Sequence, residues 1–268
     1  MFPLLPVVLA LASHAPELAP RVDSAARPAA MEWIPSTFQD AAATPPEAPK
    51  WTGNVSLGGT IAAGNTESRT ATFNVDAERR AEKDRWTAKA WWNYTDQEDS
   101  EGDSEVTQRR LGASLQYDYF LTKRAYWLAR VGTEYDFKAG LDLRTQVGAG
   151  AGYQFYEEEE FKLAGEAGLT YFWEEYASGD DNDYLAARLA SNLGWVIRKG
   201  WQFDQSLELF PSLEDKDDVY GKADNRLKVT LTEAMFAQAQ YVFTYDNTPD
   251  DNKERDDHLF VLTLGWSF

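Results

Sequence analysis

Two histidines, His14 and His258, are the only imidazoles this sequence offers for acid–base chemistry. His258 follows Asp256 and Asp257, so carboxylates stand beside it that could orient the ring as a catalytic base requires. A triad also needs a nucleophile within reach, and no Ser sits in the flanking pattern of a lipase. There is no cysteine, which excludes thiolate nucleophiles, thiolate metal sites and disulfides. A lipase- or protease-like enzyme using His258 at a membrane rim is therefore the alternative reading, and the leading one is not an enzyme.

A wider pattern lies in charges at alternate positions. Arg110, Arg130, Arg144, Arg188, Arg226 and Lys228 are interleaved with Asp118, Glu134, Glu166, Asp204 and Glu208, and Asp76, Glu78 and Lys89 follow the same alternation. If such a face lines a lumen, opposite signs that meet form a salt-bridged plug, and signs that segregate form a field selecting ions. The candidates for this lining are Arg110, Arg130, Glu134, Arg144, Glu166, Arg188, Asp204, Glu208, Arg226 and Lys228. Gly148, Gly150 and Gly152 share the alternation after Gln146. A phosphate-cradling loop needs a strand-to-helix turn with different glycine spacing, so these glycines read as curvature and lumen space.

Acid is concentrated in four runs, 96–106, 175–182, 212–223 and 246–256. Oxygen-only clusters of this kind suit Ca²⁺ or Mg²⁺. The last run lacks the glycine and terminal glutamate of an EF-hand, so divalent cations are expected as partners of the loops without a defined metal site. The net charge of −18 argues against nucleic acid, which selects a basic surface. No cofactor motif is present.

The elements that must carry these residues repeat with a period of two. The last run shows it best: Phe260, Leu262, Leu264, Trp266 and Phe268 fall on one face, and Leu259, Val261, Thr263, Gly265 and Ser267 on the other. From Trp51 onward the segments are Trp51–Ile61, Ser68–Arg80, Arg85–Thr95, Thr107–Phe120, Arg124–Asp136, Leu143–Tyr156, Phe161–Glu174, Asp183–Ile197, Trp201–Pro211, Asp224–Thr232, Ala237–Tyr245 and Asp257–Phe268. That is about twelve strands, an even number, each long enough to cross a bilayer at a tilt.

Each segment keeps one apolar face free of charge, as in Leu143, Val147, Ala149, Ala151, Tyr153 and Phe155. A barrel of about twelve strands is too wide for side chains to fill with that face inside, so the apolar face points to lipid and the charged face to the lumen. No apolar run reaches the length of a helical span, which leaves a closed barrel as the only way across a membrane. Aromatics gather near the strand ends in two girdles. Trp86, Tyr119, Phe120, Tyr126, Tyr156, Phe161, Trp195, Trp201, Trp266 and Phe268 form one, and Tyr94, Tyr135, Phe137, Tyr171, Trp173, Tyr245 and Phe260 the other. Short turns at 81–84, 121–123, 157–160, 198–200 and 233–236 mark the periplasmic end, and the acidic runs mark the outside.

Residues 1–15 read as an atypical signal peptide, since the apolar core lacks a preceding Lys or Arg and contains Pro3 and Pro6. Residues 16–50 are Ala- and Pro-rich and read as a periplasmic linker, followed by the barrel over 51–268. The closing strand, ending in Phe268, resembles the signal read by the barrel-assembly machinery, an expected partner together with outer-membrane lipid and lipopolysaccharide.

With the strands laid out, WTGNVSLGGTIAAGNTESRT, RVGTEYDFKAGLDLRTQVGAGAGYQF and LTLGWSF together resemble the YdiY-like family of salt-induced outer-membrane proteins, a domain of unknown function. The resemblance runs from about Trp51 to Phe268, and its marks are the Gly64-Asn65-Thr66 turn and the glycines between Val147 and Tyr153. It implies an outer-membrane barrel with a link to salt stress, and supplies no catalytic residue. The expected function is passive: a narrow channel for ions or small solutes, or a structural barrel whose acidic loops bind cations.

Overall fold

The computed structural model describes residues 49–62, 67–98, 104–179, 181–249 and 254–268. The expected signal and linker lie outside them, apart from positions 49 and 50. Twelve strands run through the described residues: β1 (Trp51–Ala62), β2 (Glu67–Arg80), β3 (Asp84–Glu98), β4 (Ser104–Phe120), β5 (Ala125–Asp136), β6 (Leu141–Glu157), β7 (Phe161–Tyr176), β8 (Asn182–Arg198), β9 (Trp201–Pro211), β10 (Val219–Thr230), β11 (Met235–Asp246) and β12 (Asp256–Ser267). Each pairs antiparallel with its sequence neighbours, and β1 meets β12 through pairs such as Val55 with Trp266, closing the barrel. Closure removes the edge strands that would otherwise template aggregation.

The strand bounds follow the alternation to within three residues except at β10, which begins at Val219 rather than Asp224. Tyr220 and Lys222 are thus strand residues paired with Phe210 and Glu208 of β9, not part of the acidic loop. The loop reading failed because Asp215, Asp217 and Asp218 outweighed the alternation that continues upward through 220 and 222. At the opposite end the connections are short for local reasons. Thr122 Oγ1 accepts the backbone N–H of Ala125 at 2.9 Å, Thr232 Oγ1 that of Met235 at 3.0 Å, and Gly200 takes a φ of 79° that other residues rarely adopt.

Burial separates the two faces. Leu115, Val131, Val147, Leu169, Leu189 and Leu262 are exposed on the outside, while Thr72, Asn93, Arg110, Glu166, Arg188 and Gln240 are buried inside. A water-soluble protein would reverse this, so the outer surface is built for lipid. Outward aromatics such as Tyr119, Trp127, Trp195 and Trp266 lie near the short turns, and Trp92, Phe137, Trp173 and Phe260 near the other end. An irregularity between Gln154 and Tyr156 turns Phe155 and Tyr156 outward together, adding Phe155 to the first belt beside Tyr156.

Two residues expected in that belt are inside instead. Phe120 and Tyr126 are 6% and 1% exposed and pack on each other in the lumen. Tyr126 stands opposite Gly152, where a Cβ would fall 2.2 Å from its Cζ, so this glycine gives the ring its place. Inside, its hydroxyl donates to Glu166 at 2.8 Å, and the Arg80 guanidinium lies 3.4 Å from the Phe120 ring centroid.

Candidate functional site

The inward positions of neighbouring strands place charge beside charge, and the lumen resolves into three groups. The first lies toward the long-loop end. Glu134 on β5 accepts from Arg144 at 3.0 Å and from the Tyr220 hydroxyl at 3.2 Å, with Lys222 at 3.6 Å and Arg110 at 3.8 Å. Arg110 also meets Asp136 at 3.3 Å. Arg144 bonds to Glu174 on β7 and reaches Asp246 on β11, five strands round the barrel, at 3.3 Å. Its guanidinium lies 4.3 Å from the Tyr220 ring centroid.

That ring belongs to a buried aromatic cluster. Phe172 stacks on Tyr184 with centroids 5.1 Å apart and meets Phe210 edge-on at 5.2 Å, with Tyr220 completing the group. These residues share the inward parity of Glu174, Arg188, Glu208 and Lys222 respectively. A lumen of twelve strands is too wide to close with short side chains, and large rings supply the missing volume.

The second group is a chain of charge-assisted bonds through the middle. Arg130 on β5 bonds to Glu208 on β9, four strands away. Arg188 donates to Glu208 at 2.7 Å and to Glu166 at 2.8 Å. Glu166 accepts from Gln116 at 3.0 Å, Gln116 donates to Asp118 at 2.9 Å, and Asp118 accepts from Arg85 at 2.6 Å. Each of these carboxylates has donors for its oxygens, as buried charge requires.

The third group centres on Arg226 of β10. It donates to Asp224 on its own strand at 2.7 Å and to Asp76 on β2, four strands away, at 2.6 Å. Two cavities, about 320 and 340 Å³, meet here and share Asp76, Asp224 and Arg226 in their walls. Asp204 and Lys228 line the second cavity without an ion pair among the described residues; Asp204 accepts from Gln202 at 2.8 Å, and Lys228 Nζ sits 4.7 Å from the Phe236 ring centroid.

Of the ten lining candidates, Arg110, Glu134 and Arg144 thus come together in the first group, Arg130, Glu166, Arg188 and Glu208 in the second, and Arg226 enters the third. The reading of the sequence passed over Asp136, Glu174, Lys222, Asp224 and Asp246, and the inward rings. Their signal was present: 220, 222 and 224 extend the parity of Arg226, and 172 and 174 that of Glu166.

At the rim, His258 is on the outer surface with both ring nitrogens engaged, Nδ1 with the Tyr241 hydroxyl at 2.8 Å and Nε2 with Asp256 at 3.0 Å. Lys138, in the β5–β6 connection, bonds to Asp257, which holds its ammonium above the usual lysine range. Asp218, just before β10, is pushed above the usual carboxylate range by burial. Residues 99–103, 180 and 250–253 of the acidic runs lie outside the described residues. Among the described ones no group of three or more His, Asp or Glu is placed to hold a metal.

In outline the chain is similar to several solved barrels. The NanC porin shares 12% identity at a TM-score of 0.48, with 81% of this chain and 98% of that one covered. The translocator domain of the autotransporter NalP from Neisseria meningitidis shares 13% at 0.46, over 81% and 88%. An outer membrane channel from Pseudomonas putida F1 shares 13% at 0.45, over 88% and 99%. Likeness at this level is no guide to a ligand. No curated protein matches the chain. The closed even-stranded barrel with its lipid-facing surface is that of a bacterial outer-membrane protein. A family model matches residues 55–268, in keeping with the YdiY-like resemblance, and the chain belongs to that family, DUF481, described as a protein of unknown function.

Proposed function

We propose that this is a passive outer-membrane barrel held closed by its own side chains. The observation that supports it best is the span of the ion pairs: Arg144, Lys222, Arg226 and Arg130 each meet a carboxylate four or five strands away. Charges matched in this way neutralise one another, where an ion-selective pore would segregate them by sign. The aromatic cluster beside Arg144 excludes larger solutes from the same end. Outside, the acidic loops present a surface that attracts cations and, through them, the phosphates of lipopolysaccharide.

Catalysis at His258 has less support. Its two partners are a phenol and a carboxylate, with no aliphatic hydroxyl on either nitrogen. His258→Ala is expected to leave an intact barrel with every measurable property unchanged. The closed lumen is tested by refolding the full chain into liposomes and following swelling in arabinose or KCl. Vesicles carrying folded barrel should swell no faster than empty ones; rapid swelling in either solute would overturn the proposal.

A further inference from the structure

Two facing residues leave donors without acceptors in the lumen wall. Asn74 on β2 stands opposite Trp91 on β3, and both line the 320 Å³ cavity. Trp91 Nε1 and Asn74 Nδ2 are buried with no hydrogen-bond partner, and Asn74 is 5% exposed. Folded proteins nearly always give such groups a partner, and a specific exception calls for a missing one. The indole is fixed in place: a Cβ at Gly112 would fall 2.3 Å from its Cζ2, so the ring occupies the space that glycine leaves.

Cations and carboxylates both stand around these donors, with Asp76 opposite Lys89 across the β2–β3 pair. Lys222 Nζ lies 4.4 Å from the Trp91 ring centroid. Lys89, two residues along β3 on the same face, lines the cavity and forms no ion pair among the described residues. The wall carries seven Lys or Arg against five Asp or Glu, but Arg85, Arg110 and Lys222 are offset by Asp118, Glu134 and Asp136 beyond it, and among the described residues Lys89 is the lining cation left without an ion pair. Asp224 is held by Arg226 and Gln240, and Asp76 by Arg226 through one oxygen. A group that only accepts, and carries negative charge, completes this arrangement.

We propose that the cavity is a binding site for a small anion such as a short carboxylate, held by Trp91 Nε1, Asn74 Nδ2 and the ammonium of Lys89, with Lys222 behind the indole. The site stands whether or not the lumen conducts, because it rests on the orphaned donors and not on closure. Lys89 and Trp91 come from one strand and Asn74 from its hydrogen-bonded neighbour, so the register of β2 and β3 fixes all three.

The test is a titration of the full chain, labelled with ¹⁵N-tryptophan and refolded in detergent in low-salt buffer with acetate present at each concentration. Refolding with the probe present removes any dependence on passage through the barrel ends. Trp91→Phe identifies the Trp91 indole signal by its loss, and the remaining indole signals report that this variant is folded. Acetate should move that signal along a saturating curve, and Lys89→Met should weaken the apparent affinity about tenfold, the loss of one charge-assisted contact. No shift, a shift that grows linearly without saturating, or a curve unchanged by Lys89→Met in a folded barrel would overturn the proposal.

Discussion

Replacing Arg144 with alanine removes the residue on which the first lumen group converges. Its guanidinium pairs with Glu134, Glu174 and Asp246 and covers the face of Tyr220. The side chains of Arg144 and Glu174 are 5% and 3% exposed, so the pair belongs with buried ion pairs and not with surface ones. Glu134 would keep Lys222 and Arg110, and Glu174 would keep the hydroxyls of Tyr176 at 2.8 Å and Tyr184 at 3.2 Å. What remains is three carboxylates with too little positive charge among them. Breaking a buried pair from one side costs about 3–5 kcal/mol. With a denaturant slope of about 2 kcal/mol per molar, the urea midpoint should fall by roughly 2 M in a folding titration into lipid vesicles. Arg144→Met with Glu174→Leu, which removes both charges and keeps volume, should recover most of the loss. A cost under about 1 kcal/mol for Arg144→Ala, the range of exposed pairs, would refute the account of a buried, charge-matched closure.

Three further outcomes follow. Leu169→Arg, on the outer face, should destabilise the barrel by about 2–4 kcal/mol in the same titration, because an arginine there meets hydrocarbon. Gly152→Ala should cost about 1–3 kcal/mol by driving a Cβ into the Tyr126 ring, and Tyr126→Ala in the same chain should relieve that clash. Asp218 gives a pH dependence: burial raises its folded pKa above the unfolded value, so the folded state holds the proton more tightly. Its ionised form therefore weakens the fold above the folded pKa, and stability is regained as pH falls through that value toward the unfolded one. Asp218→Asn should flatten this rise in unfolding midpoint, and an unchanged pH profile would sink the argument.

The barrel was legible because a period of two is imposed by strand geometry itself, and Leu259 to Phe268 display it without interruption. The inward parity of Arg130, Glu134, Arg188 and Glu208 was readable for the same reason. Which charges meet was not, because Arg226 and Asp76 are 150 residues apart and are joined only by closure of the sheet. Phe120 and Tyr126 misled for a different reason. Aromatics at strand ends suit a lipid interface, and only the Tyr126–Gly152 pairing reveals that a lumen position was left empty for the ring. The start of β10 was lost to composition, since a run of Asp reads as loop even where the alternation through Tyr220 and Lys222 continues.

The central claim, a lumen closed by paired charges and rings, is tested most directly by single-channel recording in planar bilayers. The full chain, shown to be folded, should give no conductance steps in KCl, while Arg144→Ala combined with Tyr220→Ala should give discrete ones. Steps from the unaltered barrel of the same size as those from the double variant would contradict the account.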